Sequence, residues 1–229
     1  MKTAILSGPC HVDEALFGIG LSYGLTSGAK CDAAFRKSPT YRQLETVSRK
    51  LCHMQGGHNK FLETITLALD ITAPRYWWQE FDTYRVGVTK QSESTMHTIM
   101  ARDLANNDFE GGTFDHILEE LNAIRRDYLR AEAEGDEEEK KNCFMDMKSA
   151  LPEGFLQRRI VMLNLKALQN MYMQRKNHRL PEWRQFFRDI ATDLAAVSPY
   201  ADNVLWWAFG WKYDVEIREI EIPKEKKGE

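Results

Sequence analysis

The sequence predicts one α+β domain over residues 1–229, with helices dominating its second half and a frayed Lys-rich tail at 223–229. Three observations predict this. Within Phe61 to Thr72 the residues Ile65, Leu67, Leu69 and Ile71 alternate with Thr, Ala and Asp, the two-residue period of a half-buried strand. Beyond Phe114 apolar residues recur at three- and four-residue spacing, the period of helices packed on one side. No repeat and no linker interrupts the chain, so its length is read as one domain.

Each element has a local reason. Glu14 to Tyr23 reads as a short apolar helix, followed by a loop from Gly24 to Lys30. Thr40 to Met54 is a helix with Leu44, Val47 and Leu51 on one face, stopped by Gly56-Gly57. The strand at 61–72 ends at Ala73-Pro74, and Pro74 suits the start of an aromatic helix over Arg75 to Asp82. Tyr84 to Met96 shows no period and is expected to be irregular or weakly extended. Phe114 to Ala133 is a helix, and the acidic run after Asp136 begins another. Phe155 to Arg175 reads as one long helix, with Ile160, Leu163, Ala167, Leu168 and Met171 on its buried side. Pro181 opens the next helix, and Ser198-Pro199 caps and opens a last one carrying Trp206-Trp207. Val215 to Ile222 alternates like a strand with one slip of phase, which suggests a bulge or an edge.

Composition removes several classes of function. With 31 Lys+Arg against 34 Asp+Glu the net charge is −3, without the basic excess of a dedicated nucleic-acid binder. No apolar run is long enough for a membrane span, and the first nine residues are too short an apolar stretch for a signal peptide. Cys10, Cys31, Cys52 and Cys143 make no Cys-x-x-Cys pair, so reduced thiols in the cytoplasm are expected. Cys52-His53 with His58 matches no closed zinc pattern, and no metal site is expected. Gly18-x-Gly20-x-x-x-Gly24 misses the dinucleotide spacing and follows no strand, so an ordinary loop near a helix end is expected there. The six Trp, eight Tyr and eleven Phe either fill a core or wall a planar ligand, and composition does not choose. Arg158, Arg159, Lys166, Arg175, Arg179 and Arg184 punctuate apolar segments, as structural ion pairs or as an anion cradle.

Two blocks of residues go further. Gly57-His58 before a strand, Ala73-Pro74 at its end, then an aromatic helix leading to Thr83-Tyr84-Arg85 form the first. Leu151-Pro152, Arg158, Asn164, Leu168, Asn170 and Arg175, with Trp183-Arg184 beyond, form the second. Together they resemble the flavin-dependent thymidylate synthases over roughly His58 to Arg184. The resemblance implies the thymidylate synthase-complementing fold, with a central antiparallel sheet. It implies a cytoplasmic homotetramer that binds FAD between subunits, is reduced by NADPH, takes its carbon from methylenetetrahydrofolate and methylates dUMP or a related pyrimidine deoxynucleotide. No nucleic acid and no membrane is expected as a partner. On this resemblance Arg158, Ser92 and Ser94 are the catalytic candidates; His58, Arg85, Tyr84, Asn164 and Gln91 contact the cofactor; Arg158, Arg175, Arg184 and Glu93 hold the nucleotide. The signature departs from the family's Arg-His-Arg in its first two members. Glu93 stands at the family's Ser position between Ser92 and Ser94, and Gln91 replaces a Glu. These changes frame an alternative, a relative that binds a nucleotide or a protein without transferring a methyl group. A third reading is an unrelated helical interaction protein.

Overall fold

The computed structural model describes residues 1–54 and 56–210. The strand expected at 215–222 and the tail lie outside the described residues. The elements are β1 (Lys2–Cys10), α1 (Val12–Ser22), α2 (Ala33–Lys37), α3 (Pro39–Leu51), β2 (Thr66–Pro74), α4 (Arg75–Phe81), β3 (Val88–Ser92), α5 (Thr95–Thr98), α6 (Asp115–Glu134), α7 (Glu137–Ala150), β4 (Leu156–Asn164), α8 (Leu165–Arg175), α9 (Pro181–Val197) and α10 (Ala201–Phe209). Among the described residues, four strands form one antiparallel sheet in the order β1-β2-β4-β3. Register follows from bonds at the strand ends. Arg75 N–H donates to Phe155 O at 3.1 Å and Leu165 N–H to Ile65 O at 2.9 Å, which pairs β2 with β4 head to tail. Glu93 N–H to Arg158 O and Asn164 N–H to Gly87 O, both 2.9 Å, set β3 against β4 in the same way.

Contacts divide the chain into two compact units. One holds Met1, Ile71–Thr83 and Lys90–Ile160. Its core is built on the hairpin of α6 and α7, where Leu121 and Met147 pack with Ile99, Leu104, Phe109 and Leu151. Gly135 ends α6 at φ 73°, and the Asp136 carboxylate accepts from Glu139 N–H to start α7. Trp77, Trp78 and Phe81 of α4 are buried and pack edge-on or tilted within 5.4 Å of one another. The aromatic surplus serves a core here.

The other unit holds Lys2–Asp70, Tyr84–Thr89 and the chain from Val161. Leu16, Leu44, Leu67, Leu69, Leu168, Trp183, Phe186 and Trp207 are fully buried in it. Gly20 lies inside α1, and a Cβ there would meet Thr26 Cγ2 at 2.4 Å. The glycine is a close-packing site within a helix.

Three expectations are corrected. Phe155 to Arg175 is not one helix: its first part is β4, and α8 begins at Leu165. Helical spacing there is coincidental, because β-branched Ile160-Val161 sits in a strand whose backbone is paired on both sides. Arg158 and Arg159 therefore lie on a strand. Tyr84 to Met96 contains β3 and the short α5. An edge strand with little buried side chain carries no alternation to read. The last helix starts at Ala201 with Tyr200 at its cap, while the Ser198 hydroxyl accepts from Tyr200 N–H at 3.1 Å.

Candidate active site

The expected site residues fall into two groups. Gln91, Ser92, Glu93, Ser94 and Arg158 belong to the first unit. Gln91 and Ser92 end β3 exposed, and Glu93 and Ser94 follow, also exposed. The backbone of Glu93 is fixed twice. Its N–H donates to Arg158 O at 2.9 Å, and its carbonyl accepts from Gln157 Nε2 at 3.0 Å. Glu93 and Arg158 line a cavity of about 530 Å³ with Thr72, Thr95, Arg102 and Asp108 among its walls. Arg102 is clamped by Asp108 through two bonds, one of 2.7 Å, and this pairing holds the Asp108 carboxyl below its usual range. The Lys148 ammonium donates to the Thr95 hydroxyl. Nothing in the sequence marks Arg102 and Asp108, since charged residues in a stretch without period give no sign of facing a cavity.

Pleating decides which arginine faces this cavity. Arg158 is exposed and lines it. Arg159, one residue on, points the other way. Its guanidinium lies 4.3 Å over the Trp78 ring and bonds both Asp82 oxygens at 3.0 Å. Burial would raise the Asp82 carboxyl, but Lys90 and Arg159 outweigh it and hold the group low. Arg159 is thus the structural ion pair and Arg158 the residue turned to the cavity.

His58, Tyr84, Arg85, Asn164, Arg175 and Arg184 belong to the second unit. Asn164 caps α8, accepting from Ala167 N–H at 2.9 Å. Gly87, at φ +72°, lies so near that a Cβ would meet Asn164 Nδ2 at 2.4 Å. Asn164 lines a cavity of about 650 Å³ with Asn59, Val86, Lys166, Gln169, Asn170 and Met173. Gln169 is buried, and its amide donates to Cys52 O and Trp207 O, locking α8 to its neighbours. Lys166 pairs with Glu63. His58 lies exposed on an adjacent cavity of about 970 Å³ lined by Ile19, Leu21, Tyr23 and Phe61. The two cavities share Gly56, Gly57 and Glu63 as walls.

Tyr84 is buried, with its hydroxyl accepting from Arg175 Nε at 3.0 Å and donating to Gln174 Oε1 at 2.9 Å. The Arg175 guanidinium stacks 5.8 Å from the Tyr84 ring and 5.3 Å from Trp183. These three residues position one another. Arg85 is exposed beside them in sequence, and Arg184, also exposed, donates to His178 O at 3.1 Å.

The model of the thymidylate synthase complementing protein family matches residues 21–200, most of the chain. The chain belongs to that family. No curated protein matches it. Among solved structures, the flavin dependent thymidylate synthase ThyX from Helicobacter pylori, complexed with FAD and dUMP, is similar at TM-score 0.60 and 14% identity. That match covers 85% of this chain and 94% of that one. A second structure of the Helicobacter pylori enzyme, with FAD and dUMP, gives TM-score 0.62 and 14% identity over 90% and 96%.

Proposed function

We propose that this protein is a flavin-dependent enzyme that transfers a one-carbon group to a pyrimidine deoxynucleotide, dUMP or a close relative. The observation that carries the reading is the cavity lined by Arg158 and Glu93, two residues that the motif resemblance assigns to the nucleotide, in a chain of this family. Arg158 holds the nucleotide and polarises its base, the guanidinium being a donor suited to phosphate and carbonyl oxygens alike. Ser92 and Ser94 flank Glu93 at the exposed end of β3 and are the hydroxyl candidates for the reacting site. Arg175 and Arg184 belong to the anion-binding set, with Tyr84 positioning Arg175.

The residues present in the second unit fit a flavin. Asn59, Asn164, Lys166 and Asn170 supply amide and ammonium donors for phosphate and ring edges. Val86, 92% exposed, and Met173, 60% exposed, offer apolar surface to a planar ring. His58 and Arg85, of the same unit, are assigned to the same cofactor. Bound FAD, reduced by NADPH, would supply the hydride, and methylenetetrahydrofolate the carbon. The protein is proposed to act as a cytoplasmic homotetramer.

The deciding experiment is a titration of purified protein with FAD, then NADPH, then dUMP. The expected result is yellow protein whose flavin is bleached by NADPH and quenched by the nucleotide. Protein that stays colourless with added FAD yet gains thermal stability from dUMP would support the second reading, a binding relative without methyl transfer. The inward-turned Tyr84 at the middle signature position is the observation favouring that alternative.

A further inference from the structure

The doubled tryptophan at 206–207 divides its labour. Trp207 is fully buried, and its indole N–H donates to Ser48 Oγ at 3.1 Å. Trp206 is only half-buried and faces α3. Its indole N–H donates to Arg49 O at 3.1 Å, and the His53 ring stands edge-on at 6.3 Å. The ring is held in place while part of it meets solvent.

Around it α3 presents one face. Arg42, Glu45, Thr46, Arg49 and Lys50 recur at helical spacing, with Tyr41, Leu44 and Ser48 buried on the opposite side. Together with Trp206 they line a groove of about 540 Å³. Arg49 is anchored through Nε to Asn203 Oδ1 at 2.9 Å, which uses one of five guanidinium donors. Glu45 accepts from Asn203 Nδ2 at 2.6 Å. Three cations against one carboxylate make this groove locally positive on a chain whose net charge is −3. An ordinary solvated helix face needs neither a concave wall nor a fixed indole at its centre.

We infer that this groove is a second ligand site, for a nucleoside monophosphate whose base stacks on Trp206 and whose phosphate is met by Arg42, Arg49 and Lys50. A π face gives sequence-tolerant stacking, and cations beside it give the anion its partner. The volume lies within the roughly 300–1,000 Å³ of small-molecule sites. None of these residues belongs to the proposed active site, so the inference stands apart from the flavin reading.

The test is equilibrium dialysis of the full chain with AMP, with adenosine, inorganic phosphate and a ten-residue oligothymidylate as comparisons. AMP is expected to bind more tightly than adenosine or phosphate. The double variant Arg42→Gln/Lys50→Gln should weaken AMP about tenfold and flatten its salt dependence. Trp206→Leu should weaken it about tenfold, in line with one stacked base, while Trp206→Phe keeps most of the affinity. AMP that does not bind, or binds the charge variant and Trp206→Leu as it binds the parent, overturns the inference, the latter placing AMP elsewhere on the chain. Phosphate binding as well as AMP, indifferent to Trp206, reduces the groove to a bare anion site and overturns it too. Oligothymidylate that binds and is not displaced by AMP overturns it in favour of nucleic acid. If Trp206→Leu fails to fold, Trp206→Phe and the exposed charge pair decide.

Discussion

Arg158 and Arg159 show how one residue of pleat separates a cavity-lining arginine from one stacked on a buried ring. Arg159→Ala removes the guanidinium stacked on Trp78 and one of the two cations on Asp82. It should lower unfolding free energy by about 2 kcal/mol while leaving nucleotide affinity unchanged. Arg158→Ala should abolish the stabilisation given by dUMP. Chemical denaturation with and without nucleotide reads both, and equal effects from the two variants would refute the division. Asp82 adds a pH signature. Its carboxyl is held below the unfolded value of about 3.9, so its contribution is complete above that pH and is lost as pH falls through the lower folded value. Melting curves of Asp82→Asn and the parent should differ at pH 7 and converge in acid.

Among the described residues, β1 is tied down on its outer side by a helix rather than by a neighbouring strand. Thr3 N–H donates to Asp189 at 3.0 Å and Ile5 N–H to Asp193 at 2.8 Å. The match is geometric: two strand residues advance about 6.6 Å and four helix residues about 6 Å, so alternate amides meet carboxylates one turn apart. Burial first, and Asp193 with it, raise the Asp189 carboxyl, so its ionised form costs stability at neutral pH that protonation returns. Asp189→Asn, which keeps an acceptor and lets Gln185 turn its amide, should change the melting temperature little. Asp189→Leu orphans the Thr3 N–H and should cost about 1–3 kcal/mol. Equal losses would show that the charge, and not the acceptor, matters. β1 has no readable alternation because little of it is covered: along Lys2–Cys10 only Thr3 is buried. Helices with local signals, such as α9 at Pro181 and α7 at Asp136, could be placed from sequence, since their caps lie within four residues. β4 could not, because strand pairing is decided by distant backbone. Arg158 and Asn164 each line a cavity and stand at a motif spacing legible in the sequence, whereas Arg102 and Gln169 are brought to their cavities by tertiary structure alone.

For the whole molecule, the near-neutral balance conceals local imbalance. The groove at Trp206 gathers cations, while Glu137, Glu138 and Glu139 face solvent on α7. Among the described residues no helix is long and apolar enough to cross a membrane. The proposed tetramer carries its own prediction. If subunit association stabilises the fold, the melting temperature should rise with protein concentration, as mass action requires. A value constant over a hundredfold dilution through subunit dissociation would argue against that coupling.

The hairpin of α6 and α7 also sets an order of events in time. Its two helices are joined at Gly135-Asp136, and much of its core is drawn from a continuous stretch of chain. Bringing them together closes only a short loop, whereas pairing β1 with α9 must first close one spanning most of the chain. The hairpin should therefore be structured in the transition state for folding. Gly135→Ala, which strains a left-handed backbone position, should slow folding more than it speeds unfolding, while Asp189→Leu should chiefly speed unfolding.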